Sequence, residues 1–286
     1  MPRSRVERAL SPVLGLLLFF QAGLVVTGGA VRLTGSGLGC PTWPRCTSGS
    51  FIPVPHQSQG ELHSWIEFGN RLLTIALFLT SISALICVLV LRRRDIRNLA
   101  RWQVLGILAQ IPLGGITVLT HLNPLAVAAH FILSMLLIAA GTVLYERRRP
   151  DPVAHPVQQT KSRFLVHSHL LLTSLVIVVG TIVTGSGPNA GDASAPRFHF
   201  HFKAITWIHA DLVIALVLLT LYFYMKSAPQ SVLRRRIGIF FVVVLAQGSI
   251  GFLQFYRGLP ELLVGAHLLG VTLVWIAAWR IYLAAK

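Results

Sequence analysis

Eight apolar runs, each about the roughly 20 residues that a helix needs to cross a bilayer, occupy most of this chain. They cover 12–31, 66–91, 103–121, 126–145, 166–185, 204–225, 237–256 and 262–283. The hydrocarbon layer offers the backbone no water to bond, so each run is predicted to be helical. Lys and Arg fall in bursts between the runs. Arg3, Arg5 and Arg8 precede the first run, and Arg92, Arg93, Arg94, Arg97 and Arg101 follow the second. Arg147, Arg148, Arg149, Lys161 and Arg163 follow the fourth, Lys226, Arg234, Arg235 and Arg236 follow the sixth, and Arg280 and Lys286 close the chain. Eight crossings put all these bursts on one side, and basic loops stay on the cytoplasmic side, so both termini are expected to be cytoplasmic. The expected fold is an all-α integral membrane protein of eight transmembrane helices.

Composition agrees. With 54% hydrophobic and 12% charged residues the chain cannot cover a soluble surface, and it is far too apolar to be disordered. The net charge of +16 is accounted for by topology. No basic face with interleaved aromatics appears, so no nucleic-acid partner is expected; the partner implied is the lipid bilayer. The first run is long for a signal-peptide core and has an internal counterpart, so it reads as a span.

The two halves resemble each other. Asn70-Arg-Leu-Leu-Thr-Ile-Ala-Leu corresponds to His209-Ala-Asp-Leu-Val-Ile-Ala-Leu, and Leu108-Ala-Gln110 to Leu245-Ala-Gln247. In each half a glycine stands four residues after the glutamine (Gly114, Gly251) and a histidine twenty after it (His130, His267). Thr34-Gly-Ser-Gly37 and Thr184-Gly-Ser-Gly187 end the first and fifth runs. The pattern predicts two pseudo-symmetric four-helix bundles in parallel repeat, 1–150 and 151–286.

Histidine inside a span is costly and marks function. His209 and His267 lie at matched depth on two helices of one bundle, as bis-imidazole haem ligation requires. Helix-packing histidines bonded to backbone are the bland alternative. The first half keeps only His130, because Asn70 stands where His209 stands. A haem there would have one strong axial ligand and one open side, which suits a substrate, whereas a closed pair suits electron transfer. Glu67 lies three residues before Asn70 on the same face, and its counterpart is Thr206. It is therefore the candidate acid–base group of the open site. His63 lies one turn further out, roughly 10 Å along the axis from Asn70, and is the candidate surrogate ligand. Arg71 could pair with Glu67 or with a haem propionate.

The loop after the first run carries Cys40 and Cys46, which could close a small disulfide loop or serve as a redox-active pair. Cys87 reads as a core residue. Phe198-His-Phe-His-Phe202 reads as an aromatic belt at the membrane surface, and His121, His155, His167 and His169 as interfacial. His56 and Asp211 receive no role.

The segment Gly28-Gly-Ala-Val-Arg32-Leu-Thr-Gly-Ser-Gly-Leu-Gly-Cys40-Pro-Thr-Trp-Pro-Arg-Cys46 resembles the signature of the haem A synthases. Ile66-Glu67-Phe-Gly-Asn70-Arg71 and the two Gln…Gly…His spans do so as well, and the resemblance runs from the first span to the eighth. It implies haem b as cofactor in the C-terminal half, with iron held by His209 and His267. It implies haem O as substrate in the N-terminal half, bound near His130, Asn70 and Arg71. There a ring methyl would be hydroxylated twice, with oxygen from water, and dehydrated to a formyl group. Glu67 matches the family's catalytic carboxylate, and Cys40–Cys46 a cysteine pair found in many members. The chain departs from the pattern at Asn70, where many members carry His. The resemblance further implies a bacterial cytoplasmic membrane location, with haem sites toward the outer face, and the haem O synthase (a farnesyltransferase) as a candidate partner. It leaves the electron acceptor, and any homo-oligomer, undefined. The competing readings are a non-catalytic membrane cytochrome b exchanging electrons with quinone, and a transporter whose spans would be broken at matching points, with Pro112 the one candidate break.

Overall fold

The structure is a computed structural model and describes residues 3–149 and 160–285. His155, Lys286 and the expected boundary at 150 lie outside the described residues. The eight helices are α1 (Arg3–Leu33), α2 (Glu61–Val90), α3 (Arg94–Leu119), α4 (Pro124–Glu146), α5 (Thr160–Ser186), α6 (Phe202–Lys226), α7 (Val232–Tyr256) and α8 (Glu261–Ala284). All eight are long and apolar enough to cross a membrane, so the chain is a multi-pass helical membrane protein. Several helices outrun the apolar runs: α2 starts at Glu61 and α3 at Arg94. Polar terminal turns keep their internal hydrogen bonds in water, so hydropathy marks only the embedded part of a helix. α3 runs unbroken through Pro112, without the broken span that a transporter reading needs.

Helix ends follow local rules. Asn123 caps α4 by accepting from the Leu125 N–H, with Pro124 at the first helical position, where its missing N–H is not needed. Ser231 caps α7 by accepting from the Arg234 N–H. The basic bursts close the C-termini. Arg93 donates to the carbonyls of Arg147 and Arg148 at 2.7 and 3.1 Å, and Arg236 donates to the Arg280 carbonyl at 2.6 Å. Cations there meet the negative end of the helix dipole.

The chain forms two compact units. One is Met1–Arg148 with Thr184–His199; the other is Arg149–Val183 with Phe200–Lys286. In the first unit α1–α4 pack in cyclic order around Leu14, Leu17, Val88, Ile96, Ile107 and Leu144. In the second, α5–α8 share a core built on Leu216, Phe223, Ile237, Phe240 and Ile281. Both cores occupy the half of the unit that carries the basic helix ends. The opposite half of the first unit holds Gln110, His130 and Glu67, and that of the second holds Gln247, His209 and His267.

Two expectations change. His169 is not interfacial: it is 1% exposed, its Nε2 lies 3.1 Å from the Thr220 hydroxyl, and its ring packs on Phe223 and Phe240. It lies on the inward face of α5, and distance from the end of an apolar run does not reveal which face a residue occupies. The Phe198–Phe202 stretch divides: Phe198 packs against Gly185, while His199, Phe200 and His201 are exposed and His201 caps α6. Cys87 is half-buried against the first core, as expected.

Candidate functional site

In the second unit the Gln…Gly…His spacing becomes a physical device. The Gln247 side chain on α7 donates to the His267 backbone carbonyl on α8 at 2.9 Å. One turn along α7, Gly251 faces the His267 ring: a Cβ there would lie 3.0 Å from Cε1. Gly180 on α5 faces His209 on α6 in the same way, at 3.2 Å. Each imidazole thus sits on a glycine, edge against backbone. The Nδ1 of both rings is buried without a hydrogen-bond partner among the described residues. A groove of about 490 Å³ between α6 and α7 is lined by Val213, Val217, Val244, Gly248 and Phe252, and neither His209 nor His267 is among its lining residues.

The first unit repeats the device with one change. Gln110 on α3 donates to the His130 carbonyl on α4 at 3.1 Å and to the Ser134 hydroxyl at 2.7 Å. Gly114 faces the His130 ring, with a Cβ 3.3 Å from Cε1, and the His130 Nδ1 is again buried and orphaned. The fourth seat is Gly28 on α1. It faces Asn70 rather than an imidazole, and a Cβ there would lie an ordinary 3.9 Å from Nδ2. The Thr27 hydroxyl donates to Asn70 Oδ1 at 2.7 Å.

Above this seat the Cys40–Cys46 disulfide forms, closing a tight loop over the first turns of α2. Ser64, Glu67 and Arg71 lie on one face of α2 and hold it. The Ser64 hydroxyl donates to the Gly39 carbonyl at 2.8 Å. Glu67 Oε2 accepts from the Cys40 N–H at 2.7 Å, and Oε1 pairs with Arg71 at 2.5 Å. Arg71 also donates to the carbonyls of Cys40, Thr42 and Arg45. Glu67 is 6% exposed, so its charge is buried but fully partnered. Of the two partners the sequence offered Arg71, Glu67 is the one found. The Trp43 ring lies against Gly115 of α3, where a Cβ would come within 2.5 Å, so the loop reaches across to a second helix.

Sequence reasoning missed a second layer over this end. Arg32 at the end of α1 donates to the Asn189 and Thr184 carbonyls at 2.6 and 2.8 Å. The Gly37 N–H donates to the Gly191 carbonyl at 2.9 Å, and Leu122, Ala190 and Ala195 form a small apolar cluster. Segment 184–199 is therefore part of the first unit. Ser194 donates from both its hydroxyl and its N–H to Asp192, which holds that carboxyl below its ordinary value of 3.8. His63 is exposed, and among the described residues no hydrogen bond, ion pair or ring contact joins it to His130.

Among the described residues no group of three or more His, Cys, Asp or Glu side chains could hold a bare metal ion. The paired imidazoles suit instead a group that brings its own equatorial donors, and a porphyrin iron needs only the two axial ones. The buried, unpartnered Nδ1 atoms and the glycine seats fit that use, because the seats leave room for the rings and nothing else among the described residues claims them.

Eight spans with imidazoles seated on glycines in both units, and a clamped disulfide loop over one of them, define a class of multi-pass membrane protein with polar sites at one end of each unit. The chain belongs to the cytochrome oxidase assembly protein family (COX15-CtaA), which it matches over residues 12–195. Three curated relatives are each named heme A synthase. That of Shewanella oneidensis is 30% identical over 202 residues, 65% of this chain and 58% of that protein. That of Geobacillus thermodenitrificans is 30% identical over 157 residues, 51% of this chain and 47% of that protein. That of Listeria monocytogenes is 25% identical over 270 residues, 88% of this chain and 87% of that protein. The chain spans about half the length of the first two; the third similarity covers both units.

Proposed function

We propose that this chain makes haem A from haem O, oxidising one ring methyl to a formyl group. The observation that carries the reading is the asymmetry between the units: two seated imidazoles in one, and one imidazole with one amide beneath a buried carboxylate in the other. In this reading the units are parallel repeats with both termini cytoplasmic, and the sites lie toward the outer face. Haem b, held by His209 and His267, would supply one-electron transfer. Haem O would bind in the first unit with His130 as its axial donor.

The reaction sets the requirements. Each hydroxylation takes an oxygen from water and releases two protons and two electrons; the second product, a geminal diol, loses water to give the formyl group. An electron acceptor is therefore needed. Residues of the first unit meet the remaining demands. The Cys40–Cys46 loop with Trp43 covers the site and limits water. Glu67 has both oxygens occupied, by Arg71 and by the Cys40 N–H. That arrangement holds the carboxylate in place, which suits stabilising positive charge on the substrate more than swinging out to collect a proton. Arg71 is a positioning residue that holds the carboxylate and three loop carbonyls together.

The test is to express the chain with a haem O synthase, purify it in mild detergent, and identify the extracted haems by chromatography and mass. Haem b with haem O, hydroxylated haem O or haem A supports the proposal. Labelled water should place its oxygen in the hydroxylated product. Haem b alone, from cells that contain haem O, favours an electron-relay cytochrome, and no haem from folded protein overturns the ligand assignment.

A further inference from the structure

Asn70 is more than a missing ligand. Of the four glycine seats, three hold imidazoles and one holds an amide whose orientation is set by a neighbour. The residue preceding the seat glycine is Thr27 in the first unit and Val179 in the second. At this preceding position only the amide-bearing seat carries a hydroxyl. Thr27 donates to Oδ1 at 2.7 Å, its alternative acceptor, the Leu24 carbonyl, being at 3.5 Å. The amide oxygen faces the Thr27 hydroxyl, which leaves the NH2 as the other end. Oδ1 is thereby occupied, and Nδ2, a donor without a basic lone pair, cannot ligate iron. Nδ2 faces the Gly28 seat and has no hydrogen-bond partner among the described residues. The counterpart of Asn70 is His209 and that of His130 is His267, each seated on the matching glycine of its unit.

We propose that Thr27 and Asn70 form a small-ligand site on the iron face opposite His130, in which the Asn70 Nδ2–H donates a hydrogen bond to a bound neutral molecule such as water or carbon monoxide. A haem iron held here would have His130 as its single protein donor and room for one small molecule with an acceptor end, whereas His209 and His267 would together supply both donors in the second unit. This rests on the reading of the first unit as a haem site.

The probe is carbon monoxide, added to the reduced full-length protein in detergent and read by absorbance and by the C–O stretching frequency. The wild type should bind carbon monoxide at one haem of two. Asn70→His should convert that haem to six-coordinate low spin and abolish the binding, with no loss of haem. Asn70→Leu should keep the binding, raise the stretching frequency by removing the donor, and weaken affinity about fivefold, the value of one neutral hydrogen bond. Thr27→Val should move the frequency the same way or split it, because the amide then loses its fixed orientation. One frequency shared by wild type, Asn70→Leu and Thr27→Val overturns the proposal, and so does carbon monoxide binding to Asn70→His as to wild type. His130→Ala separates the two levels: if the carbon monoxide-binding haem survives it unchanged, the underlying site is wrong, whereas its loss together with an unshifted Asn70→Leu frequency overturns only the role of Asn70.

Discussion

The four glycine seats make a graded prediction, because alanine at each would meet a different neighbour at a different distance. At Gly28 the new Cβ lies 3.9 Å from Asn70 Nδ2, an ordinary contact. At Gly114, Gly180 and Gly251 it lies 3.3, 3.2 and 3.0 Å from the ring of His130, His209 and His267. Ordinary contact starts near 3.4 Å, so the His267 ring would have to retreat by about 0.4 Å and the His130 ring by about 0.1 Å. Against this stands the general gain from replacing a mid-helix glycine by alanine, about 0.5–1 kcal/mol. Gly28→Ala should therefore raise thermal stability with haem content unchanged. On the proposed haem reading, Gly251→Ala uses up most of the roughly 0.5 Å within which a ligand must be held, and should weaken haem retention by about tenfold. Gly180→Ala should fall below it in severity and Gly114→Ala lower still. The assay is haem per protein after gel filtration in detergent, with the low-spin absorbance of the second unit, alongside a melting curve for each variant. A Gly251→Ala protein with full haem and an unchanged low-spin spectrum would refute the seat argument, and so would a Gly28→Ala protein that loses haem.

Other outcomes test the cap and the cores. Replacing Cys40 and Cys46 by serine opens a loop whose cysteines are six residues apart, and should destabilise the first unit by about 2 kcal/mol on the chain-entropy account, read as a lower melting temperature. Arg71→Ala leaves the Glu67 carboxylate buried with one donor. It should cost about 1–3 kcal/mol, less than a fully buried pair because the Arg71 side chain is 23% exposed. Limited proteolysis between Cys46 and Glu61 should speed up, and a cleavage rate equal to that of the wild type would argue that the clamp is not holding the loop. His169→Ala should cost about 2–4 kcal/mol from the cavity and lost packing while leaving both haem contents unchanged. Asp192 is held below its ordinary value, so its contribution is complete above pH 4 and is lost as pH falls through the lowered value. Because Asp192 is largely exposed the effect should be under about 1 kcal/mol, seen as faster amide exchange in 184–199 in acid.

What was legible follows from what each signal depends on. The spans could be read because a bilayer selects on a running average of hydropathy, which needs no knowledge of partners. The histidines stood out because an ionisable group in a span is rare and the repeat supplied an internal comparison. The Gln…Gly…His spacing was visible as a pattern, but its meaning needed the neighbouring helix. The glutamine holds the histidine's carbonyl and the glycine makes room for its ring, and both contacts cross a turn between helices. Gly180 was missed because its partner His209 lies on the next helix with no fixed spacing to find it by. The Glu67–Arg71 pair could be read at i,i+4, whereas the Cys40 N–H that completes it could not. Arg32 illustrates the limit. Its acceptors, Asn189 and Thr184, lie more than 150 residues away and are backbone carbonyls, which carry no side-chain signature. The same holds for Thr27. A threonine on an apolar helix reads as filler until its hydroxyl is found on Asn70, and then the substitution of an amide for an imidazole becomes a matched pair rather than a loss. If Thr27 and Asn70 act as one unit, Asn70→His should give bis-imidazole ligation in the first unit with the new ring crowded by the Thr27 hydroxyl beside it. Pairing that change with Thr27→Val, to copy the second unit, should then give the sharper low-spin spectrum of the two.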